Sequence, residues 1–184
     1  MLTVPKGRWQ VEQTFGDPEL RNGDLNEKWE AKNLIRVTLP YPMRYAYNTQ
    51  LPILTCRVHY LIADNLKWAF QEVWDTVRMQ MKVKYGYNET SVFYDNKTRA
   101  QLRLLGLDLF GGTFVFRRKR GSLGLSMHAY SIAIDINPAS NAMGTKGRMP
   151  GWFVAIFRKW GFTWGGIWKG KGCDPMHFQY ATGC

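Results

Sequence analysis

Within residues 132 to 136, Ile132, Ile134 and Ile136 alternate with Ala133 and Asp135, and that spacing constrains the fold more than any other feature of the chain. Side chains on a strand alternate faces, so the three isoleucines turn to one side and Ala133 and Asp135 to the other. One face therefore enters a core. The opposite face holds a carboxylate beside a small residue, which leaves room for a ligand. His128, coming from the turn before the strand, is placed to converge on Asp135. The pair is weak by itself, because short His/Asp spacings recur by chance.

A second cluster strengthens it. The stretch GFTWGGIWKGKGCDPMHFQY, residues 161 to 180, supplies Asp174, Pro175 and His177 where the chain enters a short last strand. The proline fixes the turn between carboxylate and histidine. The chain has three histidines, and two of them fall in these clusters. His128, Asp135 and His177 would give zinc three nitrogen and oxygen ligands and leave a fourth position open for water, the layout of a catalytic site. Asp174, three residues before His177, would stand near that water. Two histidines and a carboxylate also suit other divalent metals.

The rest of the chain reads as a scaffold for these clusters. No Pro/Gly/Ser-rich linker or repeat divides it, so residues 1–184 are expected to form a single domain, with the chemistry concentrated in 110–180. Residues 1–50 carry Gly7, Gly16, Pro18, Asn22, Gly23, Pro40 and Pro42 and are expected to form an irregular arm around the core. Strands are expected at 57–63, 113–116, 132–136 and 177–180. Asp64 reads as the N-cap of an amphipathic helix over 65–81, with Leu66, Phe70, Val73 and Val77 on its apolar face, and a polar connection with Gly86 and Asn88 follows. A further helix opens at Pro150 and closes at Gly161, with Trp152, Phe153, Ile156, Phe157 and Trp160 as a core stripe. The fold class is α+β, a small antiparallel sheet flanked by helices.

The formal net charge of +11 predicts attraction to a polyanion: nucleic acid, an anionic membrane or an anionic bacterial cell wall. The densest basic run, Arg117-Arg118-Lys119-Arg120, reads by default as a solvated loop or strand end. No helix-turn-helix, zinc finger or basic-aromatic stacking motif is recognisable, so nucleic acid is not the expected partner. No stretch approaches the roughly 18 consecutive apolar residues of a membrane span. The start, MLTVPKGRWQVEQTFGD, lacks the charged and apolar regions of a secretory signal, so synthesis is expected in the cytoplasm. Cys56, Cys173 and Cys184 fit no disulfide or zinc-knuckle pattern and read as free thiols. His59 reads as structural, and Ser126 as an orienter of the His128 loop, since no free histidine is left to activate it. Trp164 and Trp168 suit either a groove lining or rim packing.

Taken in order, Ser126-x-His128, Ala133-x-Asp135-Ile136-Asn137-Pro138, Gly161-Phe162-x-Trp164-Gly165-Gly166-x-Trp168 and Asp174-x-x-His177-Phe178 resemble the zinc D-Ala-D-Ala carboxypeptidase family. That family includes VanY-like carboxypeptidases and phage L-alanyl-D-glutamate endolysins. The resemblance is dense over about 110–180 and loose over the 65–81 helix. It implies a DD-peptidase-like fold, zinc held by His128, Asp135 and His177, Asp174 as catalytic carboxylate, and an upstream arginine that polarises the scissile carbonyl. Arg117 best fits that arginine's position, with Arg120 a second candidate. One departure is Ser131, where the family often has glycine; glycine tolerates positive φ, whereas serine does so at a cost. An aspartate at the position of Asp174 is more typical of the endolysins, and glutamate of the carboxypeptidases.

These features predict a monomeric zinc peptidase acting on the peptidoglycan stem peptide, an L-Ala–D-Glu endopeptidase ahead of a D-Ala-D-Ala carboxypeptidase. Made in the cytoplasm, it would reach the wall afterwards, where its basic charge holds it on an anionic polymer. The rival from another class is a non-catalytic basic binder of wall polymer or nucleic acid with a zinc-stabilised fold.

Overall fold

The computed structural model describes residues 2–184. Its centre is a six-stranded sheet that runs β2-β1-β3-β4-β6-β5. The strands are β1 (Leu34–Tyr45), β2 (Asn48–His59), β3 (Leu109–Gly112), β4 (Ala133–Ile136), β5 (Thr163–Trp164) and β6 (His177–Gln179). Five α-helices accompany it: α1 (Gly7–Phe15), α2 (Glu27–Asn33), α3 (Ala63–Tyr85), α4 (Ser91–Leu104) and α5 (Gly151–Lys159). The α+β class is as expected. The sheet is mixed rather than antiparallel, because β1 meets β3 in parallel through Arg44↔Leu109 and Tyr45↔Phe110.

Residues 2–50, expected to belong to an irregular arm, are not one. They hold α1, α2 and most of the long β1–β2 ribbon. Val37, Leu39, Tyr41 and Met43 alternate into the core, a strand period interrupted by Pro40 and Pro42. Proline cannot donate to a ladder. The β1–β2 register accordingly shifts between Thr38 and Met43, so the prolines sit in the irregularity and the strand continues beyond it.

β2 ends at His59, short of the 57–63 strand read from the sequence, and α3 begins at Ala63. Asp64 is not the N-cap. It lies in the first turn, where a carboxylate complements the helix dipole. Leu66, Phe70, Val73 and Val77 are buried as expected, and the helix runs on to Tyr85 before Gly86 turns it at φ 83°. The connection after Gly86 is short, because α4 follows, capped by the Thr90 hydroxyl accepting from the Phe93 N–H at 3.2 Å. Tyr94, Thr98 and Leu102 make its buried stripe.

The strand expected at 113–116 lies four residues earlier, as β3. Residues 113–116 form no regular element and are bound to the His128 turn through the Val115 N–H and the His128 carbonyl, 3.3 Å apart. Helix α5 buries Phe153, Ile156 and Phe157 and leaves Trp152 and Trp160 half-buried. Phe157 contacts Phe178 of β6 with ring centroids 4.8 Å apart, which seats α5 on the isoleucine face of the sheet. Ile132, Ile134 and Ile136 are completely buried there. No helix among the described residues is long and apolar enough to cross a membrane.

Candidate metal centre

Strands β4 and β6 pair antiparallel with Asp135 directly opposite His177, so both side chains leave the same face of the sheet, away from the isoleucine core. His128 reaches that face from the turn at 127–131. The turn closes on Ser131 at φ 54°, where the left-handed backbone of a non-glycine residue costs about 1 kcal/mol. Two contacts with the end of β2 offset the strain: the Ser131 hydroxyl donates to the Arg57 carbonyl at 2.9 Å, and the His59 N–H donates to the Ser131 carbonyl at 3.0 Å. Ser126 acts as the orienter expected of it, its hydroxyl accepting from the His128 N–H at 3.3 Å.

The three side chains converge tightly. His177 Nδ1 is 3.0 Å from Asp135 Oδ1, His128 Nε2 is 3.3 Å from the same oxygen, and the two nitrogens are 3.1 Å apart. Their outer partners assign the protons. His128 Nδ1 faces the Thr113 carbonyl at 2.9 Å, an acceptor, so Nδ1 carries the hydrogen and Nε2 presents a lone pair. Gln179 gives its amide N–H to the Ala181 carbonyl at 3.2 Å, which leaves its oxygen to accept from His177 Nε2 at 3.1 Å. His177 Nδ1 therefore also presents a lone pair. Two imidazole lone pairs and a carboxylate oxygen point at one spot with no proton to share.

Such a cluster of acceptors calls for a cation, and its dimensions suit zinc. Ligands about 2.0–2.1 Å from a tetrahedral zinc are about 3.3–3.4 Å from one another, close to the observed triangle. Thr113 and Gln179 fix the ring orientations as the outer partners of metal-bound histidines do. Asp135 is nearly buried, which works to raise its pKa; positive charge placed between it and His128 and His177 outweighs this and holds it well below the usual carboxylate range.

Asp174 stands beside the three. Its N–H donates to the Gly165 carbonyl at 3.0 Å, its carbonyl accepts from the His177 N–H at 3.1 Å, and the Trp164 indole secures the adjacent Pro175 carbonyl at 2.7 Å. Gly165 is needed there, since a Cβ at that position would lie 2.6 Å from the Asp174 carbonyl oxygen. The carboxylate oxygen Oδ1 of Asp174 is buried without a hydrogen-bond partner. Burial, reinforced by the charge of Asp135, pushes its pKa up, against the opposing charge of Arg120.

The candidate ligands and Asp174 line one cleft of about 640 Å³. Arg117 and Arg120 are both on its wall. The run from Arg117 to Arg120 is a solvent-facing loop whose neck is the Arg118–Leu125 bridge. Arg118 is committed elsewhere, to Glu19 and the Leu123 carbonyl. Arg117 donates to the Arg118 carbonyl at 3.1 Å, while Arg120 touches Met143 and is close enough to act on Asp174. Trp168 also lines the cleft, 5.5 Å from the His177 ring between centroids, whereas Trp164 is spent on the Pro175 turn.

His59 is structural as expected: buried, bonded to the Phe15 carbonyl at 3.2 Å, and held by burial at a pKa of about 4. The three cysteines are free. Sequence reading overlooked Gln179, whose signal was its place two residues after His177 on the same strand face. It also overlooked Gly111, which allows β3 to lie against Asp135.

Residues 120–180 match a family model described as D-alanyl-D-alanine carboxypeptidase. No curated protein and no solved structure matches the chain. The matched segment contains Ser126, His128, Asp135, Asp174 and His177, so it bears out the resemblance to the zinc carboxypeptidase family carried by their order. It supports a zinc peptidoglycan peptidase in general, and His128, Asp135 and His177 form a group that could hold the metal.

Proposed function

We propose that the chain is a zinc-dependent peptidoglycan hydrolase of the endolysin kind, cutting the stem peptide between L-Ala and D-Glu. The observation that carries a hydrolytic role is the buried, unpartnered Asp174 Oδ1 beside three converging ligand atoms. Leaving a buried acceptor unsatisfied costs about 1–3 kcal/mol, a cost that a purely structural metal site has no reason to carry. An aspartate at this position, more typical of the endolysins than of the carboxypeptidases in the resemblance, supports the endopeptidase.

His128, Asp135 and His177 would hold the zinc, which when bound lowers the pKa of water and polarises the peptide carbonyl. Asp174 accepts the proton of the attacking water at its free carboxylate oxygen. It then returns that proton to the departing amine nitrogen, so the carboxylate is regenerated. Arg117 or Arg120, on the cleft wall, stabilises the negative charge that builds on the carbonyl oxygen. Trp168 provides an apolar wall for the substrate.

The positive charge gives the enzyme attraction to the anionic wall, its site of action after synthesis in the cytoplasm; it works there as a monomer. A carboxypeptidase is the second reading, favoured by the description of the matching family. Mass spectrometry of digested sacculi decides between them. Stem peptides that begin at D-Glu support the endopeptidase, and free D-Ala as the only early product overturns it. Intact peptidoglycan beside tight DNA or wall binding would establish the non-catalytic binder.

A further inference from the structure

The β1–β2 ribbon brings a residue to the cleft from well outside the segment that matches the family. Tyr45 pairs with Asn48, so Ala46 and Tyr47 form a two-residue turn. That turn is firmly held. The Ala46 N–H donates to the Phe110 carbonyl at 2.9 Å, and the Arg44 N–H to the Asp108 carbonyl at 2.7 Å. The Arg44 guanidinium also grips the Asp108 carboxylate through bonds of 2.7 and 3.0 Å. These bonds dock the ribbon on the β3 segment, whose Gly112 pairs with Asp135. A turn fixed in this way places its side chains reproducibly.

Tyr47 is 67% exposed, yet it lines the same cleft as His128, Asp135, Asp174 and His177. Its ring meets Tyr45 edge-on at 5.3 Å, which restrains its direction. The phenol is within electrostatic reach of Asp135, Asp174 and Arg120, and no hydrogen bond within the described residues occupies it. Burial and the two carboxylates push its pKa above the ordinary value, so at neutral pH it is an O–H donor. A wall residue would need only the ring; a free hydroxyl lining the same cleft as Asp174 and the candidate ligands has a donor to offer.

We propose that the Tyr47 hydroxyl donates a hydrogen bond to the scissile carbonyl oxygen as that oxygen gains charge, supplementing the arginine loop from the ribbon side. No proton is transferred, since the phenol remains protonated through the reaction. The inference rests on the peptidase reading and adds a catalytic residue to it.

The test compares zinc-loaded wild type with Tyr47→Phe and Tyr47→Ala on muropeptides from purified sacculi. Loss of one oxyanion donor lowers kcat by about 100-fold. Tyr47→Phe should therefore lose about 100-fold in kcat with KM within about twofold, zinc content and melting temperature unchanged. A phosphinate analogue of the bond that the wild type cuts should bind the variant about 100-fold more weakly, whereas the product peptide binds both alike. Tyr47→Ala should show the same kcat loss plus a raised KM. A wild type that cuts no muropeptide overturns the peptidase reading and this inference together. A wild type that cuts, beside a Tyr47→Phe variant with full kcat or with lost zinc, overturns the inference alone.

Discussion

Gly111 and Asp135 are packed so closely across the β3–β4 pair that a Cβ on Gly111 would lie 2.8 Å from the Asp135 Cβ and 3.0 Å from its carbonyl oxygen. The carboxylate of the candidate metal centre is thus positioned by the absence of a side chain on the neighbouring strand. Gly111→Ala should displace Asp135 and weaken zinc binding by at least about tenfold, the scale seen when the support of a ligand is disturbed. Chelator competition on the folded variant measures it; unchanged affinity would show that Gly111 does not position Asp135.

His128→Ala and His177→Ala should each abolish stoichiometric zinc. Gln179→Ala should keep all three ligands and lower affinity about 10- to 100-fold, because it frees the His177 ring to rotate or change tautomer. Metal analysis after dialysis distinguishes the two cases. Full zinc in both histidine variants would remove the site.

Asp174→Asn should retain zinc and lose about 10²- to 10⁴-fold in turnover, since the amide cannot take the water's proton. Zinc and activity are to be measured on the same preparation. If both disappear, Asp174 is a ligand and not the base.

Stability should depend on His59. Its neutral ring is fully used, with Nε2 donating to the Phe15 carbonyl and Nδ1 accepting from the Leu61 N–H at 3.3 Å. Burial lowers its pKa to about 4, below the unfolded value of about 6.5. Between those values the unfolded chain binds a proton that the folded one refuses. The contribution is complete above pH 6.5 and declines as pH falls toward 4, by at most about 1.4 kcal/mol per unit. Urea unfolding between pH 6.5 and 5 should show this slope, and His59→Gln should flatten it while lowering stability throughout.

Attachment to purified sacculi should weaken with salt, as screening shortens from about 10 Å at 0.1 M toward 3 Å at 1 M. Attachment that ignores salt would assign wall binding to something other than the net charge of +11.

The sequence displayed the centre of this molecule better than its periphery, for physical reasons. Ile132, Ile134 and Ile136 alternate with Asp135 within five residues, and a period of two is readable over that length. His128 and His177 could be assigned because few histidines competed with them. In β1 the same alternation of Val37, Leu39, Tyr41 and Met43 was masked by Pro40 and Pro42, whose cost is absorbed by a register shift set by β2. Helix α4 was missed because only Tyr94, Thr98 and Leu102 face inward from an otherwise polar segment. The roles of Thr113 and Gly111 are matters of backbone placement, and no side-chain pattern announces them.

The strand order β4-β6-β5 has a consequence for how the chain must be produced. β6 is the last strand in sequence, yet it lies inside the sheet between β4 and β5 and carries His177. A ribosome has therefore made nearly all of these 184 residues before the partner of Asp135 exists. Until then β4 exposes an unpaired edge beside an isoleucine-rich face, the kind of surface on which nascent chains aggregate. The centre can therefore form only once His177 has been made, whatever the order in which the earlier elements fold.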